Sequence, residues 1–251
     1  MLSSLTTGFV SRLRANDQAA WFELWQTFGP VIRAQLSKWG KGQIGSQTVQ
    51  DLSQETLAAL SDSIDRFDPT RGARFSTWLL AIAKHVLGDE MDRRNAQKRG
   101  SNRRAAELDE RWMAGKFEGV DEAYEAAVFR AKVEAAIRMV ERESDFTDFA
   151  IYRMRVLDGS SGKDVAASLG LSEPTISRRL AKVRDTLRAR VTQVVATYSF
   201  TDEEAREAER NGLQTNPTKA DDALFDESIA EIYHRQMELR RRDEEAARTG
   251  G

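Results

Sequence analysis

The sequence predicts an all-α protein built from two small helical domains, and three observations support that prediction. The 251 residues include only 4 prolines. Apolar residues recur at steps of three and four, which is the period of an amphipathic helix. Alternating runs of Val, Ile and Thr, which favour strands, are few. We predict a first domain at 1–99, a flexible linker at 100–124, a second domain at 125–196 and a partly helical tail at 197–251.

The first domain contains three segments with helical periodicity. An apolar stripe starts the domain, and Gly29-Pro30 is expected to divide it into two helices. Its members are Trp21, Trp25, Phe28, Ile32, Leu36 and Trp39. The second segment carries its apolar face at Val49, Leu52, Thr56, Leu60, Ile64 and Phe67. A loop with Pro69 and Gly72 leads into a third helix. Its buried side is predicted at Trp78, Leu79, Ile82, Val86 and Leu87.

The linker and the tail are set apart by their acidic composition. Six acids lie between Glu107 and Glu122, opposed only by Arg111 and Lys116, so this segment is predicted to be disordered in the free protein. The tail contains a charged helix from about 222 to 247 with a narrow apolar stripe, which needs a surface to dock on. The stripe consists of Phe225, Ile229, Ile232, Tyr233 and Met237.

Composition excludes several classes of chemistry. The chain has no cysteine, so disulfides, thiolate zinc sites and cysteine nucleophiles are excluded. It has only 2 histidines, and no paired carboxylates in an apolar setting or phosphate loop stand out. We therefore expect no catalytic residue, no metal and no cofactor. The N-terminal residues lack an apolar run typical of a signal peptide. A cytoplasmic protein without membrane insertion is expected.

Charge is distributed unevenly along the chain. Residues 1–200 carry 30 basic and 26 acidic side chains, whereas 201–251 carry 8 and 14. Two basic clusters stand out, and such clusters attract polyanions. The first consists of Arg93, Arg94, Lys98, Arg99, Arg103 and Arg104. The second consists of Arg178, Arg179, Lys182, Arg184, Arg188 and Arg190.

The segment GKDVAASLGLSEPTISRRLAKVRDTLRARV has the spacing of a helix-turn-helix. Gly170 permits the tight turn, Ser172 is predicted to cap the second helix, and Pro174 fits its first turn. Four residues of that helix share an exposed face suited to a DNA major groove. They are Thr175, Arg178, Arg179 and Lys182. The alternative is a helical hairpin with a solvated basic face.

A second nucleic-acid surface is predicted before the third helix. A loop with Phe67 and Phe75 runs into a helix that ends in six basic residues. Aromatic and basic residues together can hold unstacked single-stranded bases. The alternative is that both rings belong to the core.

These segments resemble the extracytoplasmic-function (ECF) group of bacterial RNA polymerase sigma factors. Residues 50–94 look like sigma region 2, and 162–191 look like region 4. The resemblance implies that Asp51, Gln54 and Glu55 dock on the clamp helices of core RNA polymerase. It implies contacts to the -10 promoter element from Arg66, Arg74, Phe75, Ser76, Lys84, Arg93 and Arg94. It implies recognition of the -35 element by Ser172, Thr175, Arg178, Arg179 and Lys182. An anti-sigma factor is a further possible partner, because family members are often held inactive in that way.

The chain departs from the family pattern in three places. Thr48-Val49-Gln50 stands where many members carry paired acids, so phosphorylation of Ser46 or Thr48 by a kinase is a hypothesis for restoring charge. Pro174 replaces a small residue, and the acidic tail has no assigned counterpart. The tail is predicted to fold over a DNA-binding face, to recruit a partner or to be a loose appendage. The alternative for the whole chain is a stand-alone helix-turn-helix regulator that never enters the polymerase.

Overall fold

The computed structural model describes residues 4–67, 74–99, 122–198 and 219–249. The described part of the chain is helical and contains no strand, so the predicted all-α class is confirmed. It divides into two compact units. The first holds the described residues up to Ala131 together with 196–198, and the second holds 132–195 and 219–249. Across these ranges, no helix combines the length and apolarity needed to span a bilayer.

The first unit is a helical bundle. It contains α1 (Ser4–Arg14), α2 (Gln18–Trp39), α3 (Ser46–Ser63) with a short 3₁₀ turn (Ile64–Arg66), and α4 (Phe75–Arg99). Helices α2, α3 and α4 pack on one another. Their buried side chains include Leu24, Phe28, Ile32, Leu36, Leu52, Leu60, Leu79 and Ile82. The apolar stripes in the sequence therefore form one core, as their spacing predicts.

Helix α2 is continuous through Pro30, so the predicted break at Gly29-Pro30 is wrong. Proline inside a helix removes one backbone hydrogen bond and costs about 3 kcal/mol. Pro30 itself is exposed, whereas Phe28 and Ile32 on either side are buried in the same core. Burying a side chain of that size contributes about 1.5–3 kcal/mol, so two of them offset the proline.

Aromatic residues from distant parts of the chain complete the first unit. Tyr198, in the last turn of α8 (Glu173–Tyr198), is buried and meets Phe9 and Phe28 edge to face with ring centroids 5.1 Å apart in both cases. Its hydroxyl lies 3.1 Å from a Glu23 carboxylate oxygen and donates to it. The first turns of α5 (Glu122–Glu143) also belong here, where the Tyr124 hydroxyl donates to the Ser76 carbonyl at 2.7 Å.

The second unit contains the helix-turn-helix. After α5 come α6 (Phe146–Tyr152), a π-helical turn (Arg153–Leu157), α7 (Gly162–Leu169), α8 and α9 (Lys219–Thr249). Gly170 has a φ of 65°, a left-handed conformation that glycine adopts without strain, and it ends α7 as predicted. The core between the helices consists of Ile151, Val165, Ala166 and Ile176.

The unit boundaries fall inside α5 and α8, and the predicted domain limits remain a prediction. Most of the predicted linker, 100–121, and the first part of the tail lie outside the described residues. The predicted tail helix at 222–247 corresponds to α9, which is longer at both ends.

Candidate nucleic-acid and polymerase interfaces

The first turns of α8 present the predicted groove-facing residues on one side. Ser172, Arg178 and Lys182 are exposed, and Thr175 is partly exposed. The hydroxyls of Ser172 and Thr175 are 2.9 Å apart, and Arg178 Nη2 donates to Thr175 Oγ1 at 3.4 Å. We call this side of α8 the groove face, defined by Ser172, Thr175, Arg178, Arg179 and Lys182. It combines cations with small hydroxyl groups, which suits phosphates and base edges.

A buried acid from α6 holds two of these cations. Asp148 Oδ1 accepts from Arg179 Nη1 at 2.8 Å, and Oδ2 accepts from Lys182 Nζ at 2.8 Å. The Asp148 side chain is 5% exposed, whereas the Lys182 side chain is 71% exposed. Hydrogen bonds from Lys182, and after them from Arg179, lower the pKa of Asp148 although burial opposes them. The carboxylate is therefore charged at neutral pH.

Asp148 was not among the residues that the sequence pattern singled out. The residue sits in the first turn of α6, behind the N-cap Asp145, and an acid at that position is common because it favours a helix N-terminus. Nothing local in the sequence points to a partner more than 30 positions away. Its burial and its pairing are products of tertiary packing.

The opposite flank of α8 carries two further cations that α9 covers. Residues two apart lie on nearly opposite sides of a helix, about 160° apart, so Arg184 faces away from Lys182. Arg184 binds Asp226 through Nε–Oδ1 at 3.0 Å and Nη2–Oδ2 at 2.5 Å. Arg188 Nη2 donates to Asp222 Oδ1 at 2.6 Å. We call this side the α9 flank, defined by Arg184 and Arg188 with Asp222, Phe225 and Asp226.

Apolar contacts and a tyrosine reinforce the α9 flank. Phe225 is fully buried, and the Arg188 guanidinium lies 4.5 Å from its ring centroid, within the range of a cation–π contact. The Tyr152 hydroxyl donates to Asp226 Oδ1 at 3.3 Å. Burial raises the pKa of Tyr152 well above its ordinary value, and the Asp226 charge adds to the shift. Acids of α9 therefore pair with both buried guanidinium groups, and Phe225 packs against Arg188.

These pairings change the reading of the second basic cluster. The sequence predicted that all six basic residues form one surface that attracts polyanions. In the structure, acids of α9 pair with Arg184 and Arg188, and Glu143 pairs with Arg190 at 2.6 Å. The docked tail helix lies on the flank and leaves the groove face exposed. A fold-back over the groove-facing cations, one of the three alternatives for the tail, is not the arrangement seen for α9.

The predicted -10 residues divide into buried and exposed groups. Phe75 is 1% exposed and packs with Phe67 and Trp78, and Ser76 is buried as well. Arg74 forms an ion pair with Glu125. Arg66, Lys84 and Arg93 are exposed. Both rings of the predicted single-strand reader therefore lie in the core, which was the alternative, and 68–73 lie outside the described residues.

Arg94 ties α4 to α3. It binds Glu90 at 2.5 Å through Nε, donates to the Gln43 carbonyl at 2.9 Å through Nη1, and donates to Thr48 Oγ1 at 3.0 Å through Nη2. The Glu90 side chain is 11% exposed and also accepts from Arg93 at 2.6 Å. These contacts give Arg94 a structural partner at each nitrogen, so it is less available to a nucleic acid than Arg93.

Helix α3 presents the predicted polymerase-binding residues. Asp51, Gln54 and Glu55 are all exposed and lie within one side of the helix, because steps of three and four return to the same side. Ser46 is exposed in the first turn of α3, and that turn contains no acid. Thr48 is partly exposed and accepts the hydrogen bond from Arg94. In the described residues, no cluster of three or more His, Cys, Asp or Glu is placed to hold a metal ion.

Known proteins resemble this chain over the same elements. A family model for sigma-70 region 2 matches residues 24–97, which run from α2 through α4. A probable RNA polymerase sigma-C factor of Mycobacterium bovis is 32% identical over 142 residues, which cover 57% of this chain and 69% of the relative. The ECF RNA polymerase sigma factor SigC of Mycobacterium tuberculosis gives the same values. The ECF RNA polymerase sigma factor RpoE of Cereibacter sphaeroides is 27% identical over 187 residues, 72% of this chain and 94% of the relative.

The helical bundle with its region 2 match defines a sigma factor, a class of transcription initiation factors that are in general not enzymes. Within that class, the chain belongs to the ECF RNA polymerase sigma factors. It directs RNA polymerase to promoters. The predicted family is confirmed, and the stand-alone regulator is wrong.

Proposed function

We propose that the groove face of α8 reads the -35 promoter element while surfaces of the first unit bind the -10 element and core RNA polymerase. The observation that carries the proposal is the groove face itself, where exposed Arg178 and Lys182 stand beside two hydroxyls on the second helix of a helix-turn-helix. Such a helix enters the major groove with its N-terminal residues on the base edges. The chain works in the cytoplasm and has no catalytic activity of its own.

Within the groove face, the residues have different roles. Arg178 and Arg179 have the planar fork that matches guanine O6 and N7. The hydroxyls of Ser172 and Thr175 suit phosphates, and the methyl group of Thr175 suits a thymine methyl group. Lys182, a mobile point charge, suits a phosphate. Removing a base-reading Arg relaxes specificity at one position, whereas removing a phosphate-binding Lys weakens all sequences alike.

For the -10 element, the exposed cations supply the contact surface. Arg66, Lys84 and Arg93 bind the strand backbone in this proposal. The buried ring of Phe75 packs against Phe67 at a centroid distance of 5.6 Å. We therefore propose that Phe75 supports this surface from the core and does not stack on a nucleobase. Arg74, Ser76 and Arg94 support the same surface through contacts inside the protein: Arg74 with Glu125, the Ser76 carbonyl with Tyr124, and Arg94 with Glu90.

For core polymerase, the proposed contact is the exposed side of α3 with Asp51, Gln54 and Glu55. Two acids spaced four apart on an exposed helix side give a negative strip, which steers association with a basic surface. The Gln47 side chain donates to Asp51 Oδ1 at 3.1 Å and orients that carboxylate.

Run-off transcription with core polymerase and promoter fragments tests the assignments. Arg178→Ala should lower transcription and upstream duplex binding, with a loss of roughly 1–3 kcal/mol in binding. Arg153→Ala on the π-helical turn, where the side chain is 56% exposed, is the matched control. Glu55→Arg should reduce core binding, and the exposed Glu141→Arg in α5 should not. Normal activity of Arg178→Ala would reject the groove face.

Regulation through α3 is a second proposal. A phosphate on Ser46 or Thr48 would place negative charge in a first turn that contains no acid, where the helix dipole favours an anion. Arg94 already bonds the Thr48 hydroxyl and would pair with the phosphate. Thr48→Glu should then bind core polymerase more tightly than Thr48→Gln; equal affinities would reject a kinase at this position. An anti-sigma factor that covers α3 or α8 is proposed from the family alone.

A further inference from the structure

We infer that Asp148 is a positioning residue for promoter recognition: it fixes Arg179 and Lys182 on the groove face and so sharpens discrimination between duplex sequences. The inference rests on the proposed -35 role of α8. Asp148 itself lies behind the cations, in α6, and its side chain is almost completely buried. It acts on DNA only through the two side chains that it holds.

The geometry fits a clamp. Each carboxylate oxygen binds one cation at 2.8 Å, and the two cations belong to the same exposed side of α8. The Asp148 backbone N–H donates to Asp145 Oδ1 at 3.2 Å, which holds the start of α6 in place. A buried, charged carboxylate with two charge-assisted hydrogen bonds restricts both partners far more than solvent does.

The pairing with Asp148 weakens the attraction of Arg179 and Lys182 to phosphates and restricts the orientation of both side chains. Asp148 offsets one positive charge of the Arg179 and Lys182 pair, so the attraction to phosphates in any sequence is weaker. Arg179 engages Asp148 through one nitrogen, and a guanidinium carries five N–H donors, so the fork retains donors for a base edge. A fork held in one orientation rejects a mismatched base better than a mobile fork does.

A purely structural role for Asp148 predicts something different. If the acid served only to stabilise the N-terminus of α6, its loss would weaken binding to all sequences in parallel or leave binding unchanged. If it positions the cations, its loss must separate the two properties: discrimination falls while attraction to any duplex rises.

The experiment uses holoenzyme assembled from core polymerase and the full chain. The probes are a promoter duplex identified by run-off transcription and the same duplex with its upstream element scrambled, each measured over a range of salt concentrations. For Asp148→Asn we expect discrimination between the two probes to fall about tenfold, the contribution of a well-placed base contact. Binding to the scrambled probe should become more salt-dependent, with a slope steeper by about 0.9, because one more cation reaches phosphate.

Three matched variants make the result decisive. Asp145→Ala removes the α6 cap and a longer ion pair to Arg179 at 3.9 Å, but it leaves both 2.8 Å pairs with Asp148, so it should keep discrimination. Arg179→Lys retains the buried acid and the charge but loses the fork, so it should lose discrimination without a change in slope, even where Asp148→Asn fails to fold. Arg178→Ala tests the groove face independently of the clamp.

The outcomes separate the inference from the proposed function. If Arg178→Ala leaves promoter binding unchanged, the -35 assignment itself fails. If Arg178→Ala weakens binding while folded Asp148→Asn or Arg179→Lys retains full discrimination, the clamp is overturned and the groove face stands. A parallel loss on both probes for Asp148→Asn would likewise overturn the clamp in favour of a structural role.

Discussion

Both sides of α8 contain basic residues paired with acids, but the acid is buried on one side and the basic residues are buried on the other. On the groove face, the acid Asp148 is buried and its cationic partners reach solvent. On the α9 flank, the Arg184 and Arg188 side chains are 13% and 3% exposed, and the acids that bind them come from a second helix packed over them. Burial of the cation therefore distinguishes a surface available to a ligand from one that holds the fold together.

The difference follows from what covers each side. Helix α9 brings Phe225 and Ile229 as well as its acids, and both side chains are fully buried. Apolar burial fixes α9 in place, and the ion pairs then neutralise guanidinium groups that burial would otherwise leave costly. On the groove face, the buried Asp148 supplies negative charge beneath Arg179 and Lys182, and no described helix covers Arg178 or Lys182.

The largest expected effect is at the apolar contact of the α9 flank. Phe225→Ala should destabilise the second unit by about 3–5 kcal/mol, because it opens a cavity and removes the ring beneath Arg188. Thermal unfolding measures the loss. Leu224→Ala is the control, since Leu224 is 49% exposed on the same helix and should change stability by less than about 0.5 kcal/mol. Equal effects of the two variants would mean that α9 does not depend on this contact.

A smaller effect is expected at the charges of the same flank. Asp226→Asn should lower the free energy of unfolding by about 2–3 kcal/mol, because Arg184 and Tyr152 lose a charged acceptor. The loss is smaller than for a fully buried pair because the Asp226 side chain is 17% exposed. Glu227→Gln, an exposed acid one position on, is the matched control. Chemical denaturation of both variants measures the difference. Similar midpoints for the two would show that the flank is held by apolar burial alone.

Local rules predicted much of this architecture from the sequence. The helix-turn-helix follows from apolar spacing and from Gly170, and the stripe of the tail correctly marked Phe225, Ile229 and Ile232 as a docking side. Each depends on residues close together in the chain. The all-α class followed for the same reason.

Long-range pairings could not be predicted in that way. Charge counting assigned Arg184 and Arg188 to a surface that attracts polyanions. Nothing in the neighbouring sequence indicates that acids more than 30 positions away pair with these two residues. Phe75 combines aromatic character with a position beside a loop, and only packing against Phe28 and Trp78 reveals it as core. The break expected at Pro30 was wrong because burial on both sides outweighed a local rule.

The groove face should show its buried acid in the pH dependence of stability. The folded protein holds the pKa of Asp148 below its ordinary value near 3.9. A lowered folded pKa means that the contribution to stability is complete above the unfolded pKa and disappears as pH falls through the folded one. Stability of the wild type should therefore decrease more steeply below about pH 5 than that of Asp148→Asn.

Comparison of two variants isolates this acid. Asp17 also has a lowered pKa, chiefly from its hydrogen bond with Arg12, but it lies in the first unit and is partly exposed. Asp17→Asn should leave the acid sensitivity that belongs to Asp148 in place. Parallel unfolding curves for Asp148→Asn and the wild type from pH 7 to pH 3 would contradict a charged clamp.

The smallest expected effect is at the outer end of the clamp. Lys182 is 71% exposed and Asp148 keeps Arg179 when Lys182 is removed, so Lys182→Ala should change the free energy of unfolding by no more than about 1 kcal/mol. Its effect should appear instead as weaker binding to every duplex, with the salt slope reduced by about 1. Arg184→Ala, two positions on, should do the reverse. It should cause a large loss of stability, because Asp222 and Asp226 of α9 lose their cationic partner, and it should leave the salt dependence of DNA binding unchanged in the fraction that remains folded. A large loss of stability in Lys182→Ala would show that the groove face holds the fold together as the α9 flank does, and would remove the distinction between the two sides of α8.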